Sequence, residues 1–341
     1  MMPIHGVLVE YEDTDNNEIY TNSGILFEDK FVIITGNVLM PYLKSNANDL
    51  NAWLLNIQPG KLNFSPFSAF SSKPQVKIVF KKENSPMRFK QAEVISLFVC
   101  KNILNSSSRY LHDWAIDFDD KQYQAKQFLS LFFILKIIND NNVSEIDLNV
   151  ALIELLKNVH KWHTEIGKEV FIESTPFGNR EFLNSYSQGV ISNIAGENSC
   201  FLLTDCPSAP GSEGCPLFIK AKSKIRYPIG IVISCLNWWK GEWIGLTLCA
   251  NLVPLLEQLV PLQSGLKVDV HFKHETHVHR NLLCKYLIFF ISESLLFQNF
   301  YCFSCMFKFS GSSCVWCSMG HRHTTRQRQG YFFNKLSCYR K

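Results

Sequence analysis

The sequence predicts an all-β body, a sandwich or barrel assembled from many short strands. Short apolar runs recur from Ser23 to Ser234, and Gly, Pro and Asn punctuate the intervals between them. One run, Val76-Lys77-Ile78-Val79-Phe80, also alternates with the two-residue period of a half-buried strand. Many short strands bounded by turn residues pack as sandwiches or barrels.

Taken in order, Ser23-Gly24-Ile25-Leu26-Phe27 and Phe31-Val32-Ile33-Ile34-Thr35, joined by Glu28-Asp29-Lys30, predict a hairpin. Ser45 to Lys73 is rich in Ser, Asn and Pro and reads as a long surface loop. Leu129 to Ile138 is nearly continuously apolar and too short for a long helix, which predicts a buried strand. Leu148 to Val159 reads as a helix. Val170–Ile172, Gln188–Ile194, Phe201–Thr204 and Ile229–Ser234 continue the strand pattern. Leu252 to Leu262 reads as a terminal helix cut by Pro254 and Pro261. No repeat of solenoid length is present. The expected division is a folded module over 1–262 and a tail over 263–341.

The chain has 341 residues, 34 Lys plus Arg against 30 Asp plus Glu, and 46% hydrophobic residues. That is enough apolar material for a sizeable core, and it excludes collagen-like, coiled-coil and wholly disordered classes. The net charge of +4 is unevenly placed. Residues 281–341 carry eight Lys/Arg and one acid, Glu293, which leaves 1–280 near −3. That balance argues against a nucleic-acid partner for the body. The segment Met1–Tyr11 lacks a signal-peptide pattern, and no apolar stretch reaches membrane-spanning length, so no membrane partner is expected. Of 12 cysteines, Cys100, Cys200, Cys206, Cys215, Cys235 and Cys249 lie in the body and read as reduced thiols. No cofactor is expected.

The informative stretch runs from Gly167 to Trp243. Gly167-Lys-Glu-Val-Phe-Ile-Glu-Ser-Thr-Pro-Phe-Gly178 is followed by Ser187-Gln-Gly-Val-Ile-Ser192. Next comes Leu203-Thr-Asp-Cys-Pro-Ser-Ala-Pro-Gly-Ser-Glu-Gly-Cys-Pro-Leu217, and then Ile229-Gly-Ile-Val-Ile233. In order and spacing these four elements resemble the second half of trypsin-like and HtrA-like serine proteases, which implies a double β-barrel with a short C-terminal helix. The resemblance also locates the degenerate nucleophile loop at Gly211, Ser212, Glu213 and Gly214, with Glu213 where a serine hydroxyl would stand. The degenerate histidine position is Val38, because Thr35-Gly36-Asn37-Val38 occupies the place of Thr-x-x-His. The degenerate aspartate position is Leu131, at the head of Leu131–Ile137, or Asp113, in Asp113-Trp114-Ala115-Ile116. No catalytic set is intact. A triad needs nucleophile, base and orienting acid together.

Ser174–Gly178, Gln188–Gly196, Leu202–Asp205 and above all Trp239-Lys-Gly-Glu-Trp-Ile-Gly-Leu-Thr-Leu248 are similar to the N-terminal half of the peroxisomal leader peptide-processing protease family. Over roughly residues 6–262 that resemblance implies a pseudoprotease half with a packing, oligomerisation or regulatory role beside a catalytic domain. The implied partners are full-length or catalytic copies of the same protease, or further copies of this chain. The implied location is the peroxisome. The chain ends Tyr339-Arg340-Lys341, without an import tripeptide, which predicts a cytoplasmic alternative.

Two further readings are carried by other residues. An active serine or cysteine endopeptidase would use Ser212 or Cys215 with an unusual base. Cys302-x2-Cys305-x8-Cys314-x2-Cys317, followed by His321 and His323, has zinc-ligand spacing and would suit an interaction module. Against a zinc site, the final 61 residues hold 14 aromatics with no turn or strand pattern, and no metal is expected. In the adjacent reading frame the codons of Met319-Gly320 force a Trp and those of His321-Arg322-His323 permit Gly-Thr-Gly-Ile, as expected at the start of a second protease domain. That predicts a truncated, alternatively spliced product with a poorly ordered end. Asp205 reads as a backbone-bonding loop residue, His160 and His163 as surface residues, and Trp238, Trp239 and Trp243 as a binding patch or barrel packing.

Overall fold

A computed structural model describes residues 4–260 apart from 14–15, 47–52, 55, 65, 69, 71–72, 82–84, 112–126, 139–147, 162, 221–225 and 240–241. All of them belong to one compact unit, Met1–Lys267, whereas the second unit, Val268–Lys341, lies outside the described residues together with the Cys/His pattern of the tail.

Two closed antiparallel barrels of six strands make up the unit. The first uses β1 (Ile4–Asp13), β2 (Glu18–Phe27), β3 (Phe31–Thr35), β5 (Val76–Phe80), β6 (Arg88–Val99) and β7 (Leu131–Ile137). Its order is β6-β5-β1-β2-β3-β7, closed by β7 on β6, with β4 (Asn63–Phe64) added beside β6. The second uses β8 (Glu169–Ser174), β9 (Ser185–Ala195), β10 (Phe201–Thr204), β11 (Pro216–Ile219), β12 (Tyr227–Trp239) and β13 (Glu242–Asn251), in the order β10-β13-β12-β11-β8-β9 with β9 closing on β10. The α-helices given bounds among the described residues are α1 (Met40–Asn46), α2 (Lys101–Tyr110), α3 (Leu148–Val159) and α4 (Leu252–Leu259). None of the helices among the described residues is long and apolar enough to cross a membrane.

The alternation of a strand explains how the core divides. Val32 and Ile34 of β3, with Phe133, Leu135 and Ile137 of β7, fill the first barrel. Their neighbours Phe31, Ile33, Phe132 and Ile134 point the other way and meet Phe201, Phe218, Ile231, Ile233, Leu252 and Leu255 between the barrels. The second barrel is filled by Val170, Ile172, Leu202, Leu217, Val232 and Cys249. Strands buried on both faces read as continuous apolar runs, which is why β3 and β7 were legible.

The hairpin expected over 23–35 forms as β2–β3. Glu28 and Asp29 turn it with φ of +53° and +51°, and Phe27 faces Phe31. Elsewhere the structure corrects the reading. The stretch 45–73 is not simply a surface loop: Leu54, Ile57 and Phe67 are buried, and Trp53 stacks on Phe67 against the first barrel. Pro254 does not cut α4, because it sits in the first turn, where a missing N–H costs nothing. Asn251 caps that helix, its Oδ1 accepting the Val253 N–H at 3.2 Å. Strands β1, β4, β6, β11 and β13 and helices α1 and α2 had no predicted counterpart.

Candidate functional site

The loop from Asp205 to Cys215 joins β10 to β11 at the junction of the two barrels. Gly211 and Gly214 both have φ of +91°, a region that disfavours any side chain. The space is closed as well. A Cβ on Gly214 would lie 2.1 Å from the Ser23 carbonyl oxygen, and one on Gly211 would lie 2.4 Å from the Gly178 nitrogen. Ser212 N–H donates to Ala209 O at 3.0 Å, Cys215 N–H to Ser212 O at 3.0 Å and Gly214 N–H to Val232 O at 2.7 Å, which fixes the turn on β12.

The first barrel reaches across to hold this loop. Ser23, buried on β2, donates its N–H to Glu213 O at 3.0 Å and its hydroxyl to Gly211 O at 2.8 Å. The same hydroxyl accepts the Thr175 N–H at 3.1 Å. One serine therefore ties β2, the nucleophile loop and the end of β8 together.

Glu213 turns its side chain back on its own loop. Its Oε2 accepts the Gly211 N–H at 2.8 Å. With its amide oriented to satisfy both ends, Asn22 donates to the same oxygen at 3.2 Å. Burial pushes the Glu213 carboxyl above the ordinary glutamate value of 4.5, while backbone hydrogen bonds from Glu213 itself and from Gly211 pull it partly back. In a serine-protease loop the first glycine N–H helps to hold the developing oxyanion. Here an oxygen of the chain already occupies that donor.

Val38 lies in the 3-10 turn Gly36–Leu39 that follows β3 and is 2% exposed. Leu131 heads β7 and is fully buried, and a Cβ on Gly36 would touch it at 3.1–3.2 Å. Both side chains belong to the apolar interior of the first barrel and offer no proton acceptor. Asp113, the other aspartate candidate, lies outside the described residues.

The substitute nucleophiles are equally confined. Ser212 is fully buried, and its hydroxyl donates to the Ser174 hydroxyl at 3.3 Å rather than to a base. Cys215 is fully buried, and desolvation raises its thiol well above its ordinary value. The other body thiols are also free and shifted up by burial, Cys100, Cys200 and Cys206 to about 11. A reactive thiolate needs the opposite environment.

Asp205 accepts the Val190 N–H at 2.6 Å, so it serves the backbone of β9. Behind the loop, the Ser208 and Thr247 hydroxyls meet at 2.6 Å, Thr247 also donates to Cys206 O, and Cys235 donates to Ala209 O. His160 lies 3.4 Å from Glu257 on α4, and His163 is exposed. The backbones of Trp238 and Trp243 pair across β12–β13, and their side chains lie outside the described residues. Among the described residues no group of three His, Cys, Asp or Glu side chains is arranged to hold a metal. Sequence reasoning missed Asn22, Ser23 and Thr175. A Ser-Gly pair at the head of an apolar strand was the available signal for Ser23.

This geometry can be set beside known proteins. Over 92 residues, 26% of the chain, it is 37% identical to the human peroxisomal leader peptide-processing protease, and over 76 residues, 22% of the chain, it is 42% identical to the mouse protein. The chain is similar to peroxisomal leader peptide-processing proteases. The matched stretches span 15% and 12% of those proteins' lengths. No protein-family model matches. Among solved structures, similar chains include a thermostable serine protease from an extremophilic microorganism, with a TM-score of 0.39, 11% identity, and 75% of this chain and 95% of that one covered. A scabies mite inactivated protease paralogue shares a TM-score of 0.39 and 8% identity, over 74% of this chain and 90% of that one. The fold is the trypsin-like double barrel, as the two closed six-stranded sheets themselves establish.

Proposed function

We propose that this chain is a pseudoprotease module of the peroxisomal leader peptide-processing type. It would pack with, oligomerise with or regulate a catalytic partner rather than cleave peptides itself. The observation that carries this reading is the Glu213 carboxyl on the Gly211 N–H, at the position where a nucleophile would stand. A carboxyl oxygen cannot act as the serine alkoxide does, and its place on that N–H denies the donor to a substrate oxyanion. Val38 offers no base and Leu131 no orienting acid at the positions the resemblance assigns to them, and Asp113, the other aspartate candidate, would still lack a histidine to orient. The partner that best suits such a module is a catalytic copy or domain of the same kind of protease, and the location proposed with it is the peroxisome.

The test is hydrolysis of a fluorogenic peptide panel by the full chain, purified without other proteases. No turnover above blank is expected. Turnover that disappears with Ser212→Ala or Cys215→Ala would overturn the proposal in favour of an unusual serine or cysteine endopeptidase. For location, a tagged full chain should coincide with a peroxisomal matrix marker, and a diffuse cytoplasmic signal would contradict that part.

A further inference from the structure

Beside the nucleophile loop lies a ledge of aromatic side chains that this function does not use. Phe177 is 68% exposed, Phe182 46% and Phe89 49%. The rings of Phe177 and Phe182 meet edge to face at 6.4 Å between centroids. The Arg180 guanidinium lies over the Phe89 ring at 5.3 Å, fixed by a two-point bond to Glu10 at 2.6 and 2.7 Å. The ledge therefore bridges the barrels, Phe89 coming from β6 and Phe177 and Phe182 from the β8–β9 connection.

Its conformation is held in advance of any partner. Phe177 has φ of +58°, an arrangement that costs a non-glycine residue free energy and persists only where neighbours enforce it. The enforcing contact is the Phe177 N–H on Pro210 O at 2.6 Å, directly behind Gly211. Asn184, with φ of +61°, is anchored to the Lys81 carbonyl at 2.9 Å and fixes the far end of the connection. Large aromatics fixed this way lose little freedom on binding, which is where interface affinity concentrates.

The charge at the rim identifies the occupant. Lys81 and Arg88 stand exposed at the adjoining ends of β5 and β6, and neither has an ion pair among the described residues. The one exposed acid on the connection is Glu181, and Arg180 is already neutralised by Glu10. Two free cations beside three exposed rings suit carboxylates flanking an apolar anchor. They are too few to hold a polyphosphate backbone against a body near −3. We propose that the ledge docks a protein segment presenting an aromatic or aliphatic anchor flanked by Asp or Glu.

The experiment is fluorescence anisotropy of the full chain with short labelled peptides bearing one Phe between Asp residues. Matched peptides carry Asn flanks or Ala in place of Phe. Saturable binding is expected for the Asp/Phe peptide, weakened about tenfold or more by Phe177→Ala and by Phe182→Ala. Lys81→Gln with Arg88→Gln should weaken it several-fold and flatten its salt dependence. Lys157→Gln, on α3 away from the ledge, should leave it unchanged, and thermal melts check that each variant folds. No saturable binding, equal binding by Phe177→Ala, or no preference for Asp over Asn flanks overturns the proposal. So does tighter binding of a thymidine oligonucleotide. Self-association in sedimentation that vanishes with Phe177→Ala would assign the ledge to a second copy and overturn it equally.

Discussion

Replacing Glu213 by alanine tests whether its carboxyl acts as a fastener of the loop between β10 and β11. The change removes the acceptor of the Gly211 N–H, at 2.8 Å, and of the Asn22 amide, at 3.2 Å, while leaving the backbone bond from Ser23 in place. A buried donor without an acceptor costs about 1–3 kcal/mol. Gly211 is only partly buried, so water recovers some of that, and losing a desolvated carboxyl returns some more. The expected net loss is about 1–2 kcal/mol, or about 2–8 °C in Tm for a unit of this size. Glu213→Gln keeps an oxygen on the same branch and should lose less than about 0.5 kcal/mol. The parent also separates from both variants in pH. Because the carboxyl is raised above 4.5 in the fold, its contribution is present below 4.5 and lost as pH rises through the folded pKa. Glu213→Gln should remove that part of the decline. Thermal unfolding by circular dichroism across a pH series measures both effects. An alanine variant as stable as the parent, or a glutamine variant as weak as the alanine one, would refute the reasoning.

Other residues give further expectations. Ser23→Ala leaves the Thr175 N–H and the Gly211 carbonyl unpartnered inside the barrel junction and should cost about 1–3 kcal/mol in denaturant unfolding. Gly214→Ala combines φ of +91° with a contact of 2.1 Å, so a loss of more than about 2 kcal/mol, or failure to fold, is expected in the same assay. Arg226→Ala removes the ion-pair partner at 2.8 Å from Glu173, which is 2% exposed and among the described residues keeps only the Tyr186 hydroxyl at 3.2 Å and the Gly6 N–H at 3.5 Å, and should cost about 1–3 kcal/mol, whereas Arg226→Lys should restore part of it. Maleimide at neutral pH should leave Cys215 and Cys249 unmodified in the folded chain and label both after denaturation, as read by mass spectrometry of peptides.

What the sequence made legible follows from burial. Strands β3 and β7 are apolar on both faces and stood out, while β6 opens with the half-exposed, charged Arg88-Phe-Lys-Gln-Ala-Glu93, and its apolar end, Val94–Val99, went unread as a strand. Helix α2, Lys-Asn-Ile-Leu-Asn-Ser-Ser-Ser-Arg-Tyr, has poor helix formers. It is stabilised from outside: Asn105 donates to Glu197 at 3.0 Å, and the Ser106 hydroxyl accepts the Glu197 N–H at 2.8 Å. Those bonds join residues about ninety positions apart, beyond the reach of local pattern. In the site, the motif order assigns Gly211, Ser212, Glu213 and Gly214 to one loop, and the structure places that loop at the barrel junction; Val38 and Leu131 lie in the apolar interior of the first barrel, and Asp113 lies outside the described residues. That the Glu213 carboxyl folds onto the Gly211 N–H was not legible, because it depends on two left-handed glycines and on Ser23 arriving from the other barrel. The region 45–73 misled because its Ser and Asn residues masked Leu54, Ile57 and Phe67, which bury.

The most direct test of the central claim is intact-mass analysis of the full chain after incubation with a serine-directed fluorophosphonate probe. The account predicts an unmodified mass, because Ser212 is fully buried with its hydroxyl on Ser174 rather than on a base, and the proposal puts Glu213 where the nucleophile would stand. A stoichiometric adduct that is lost with Ser212→Ala would contradict it.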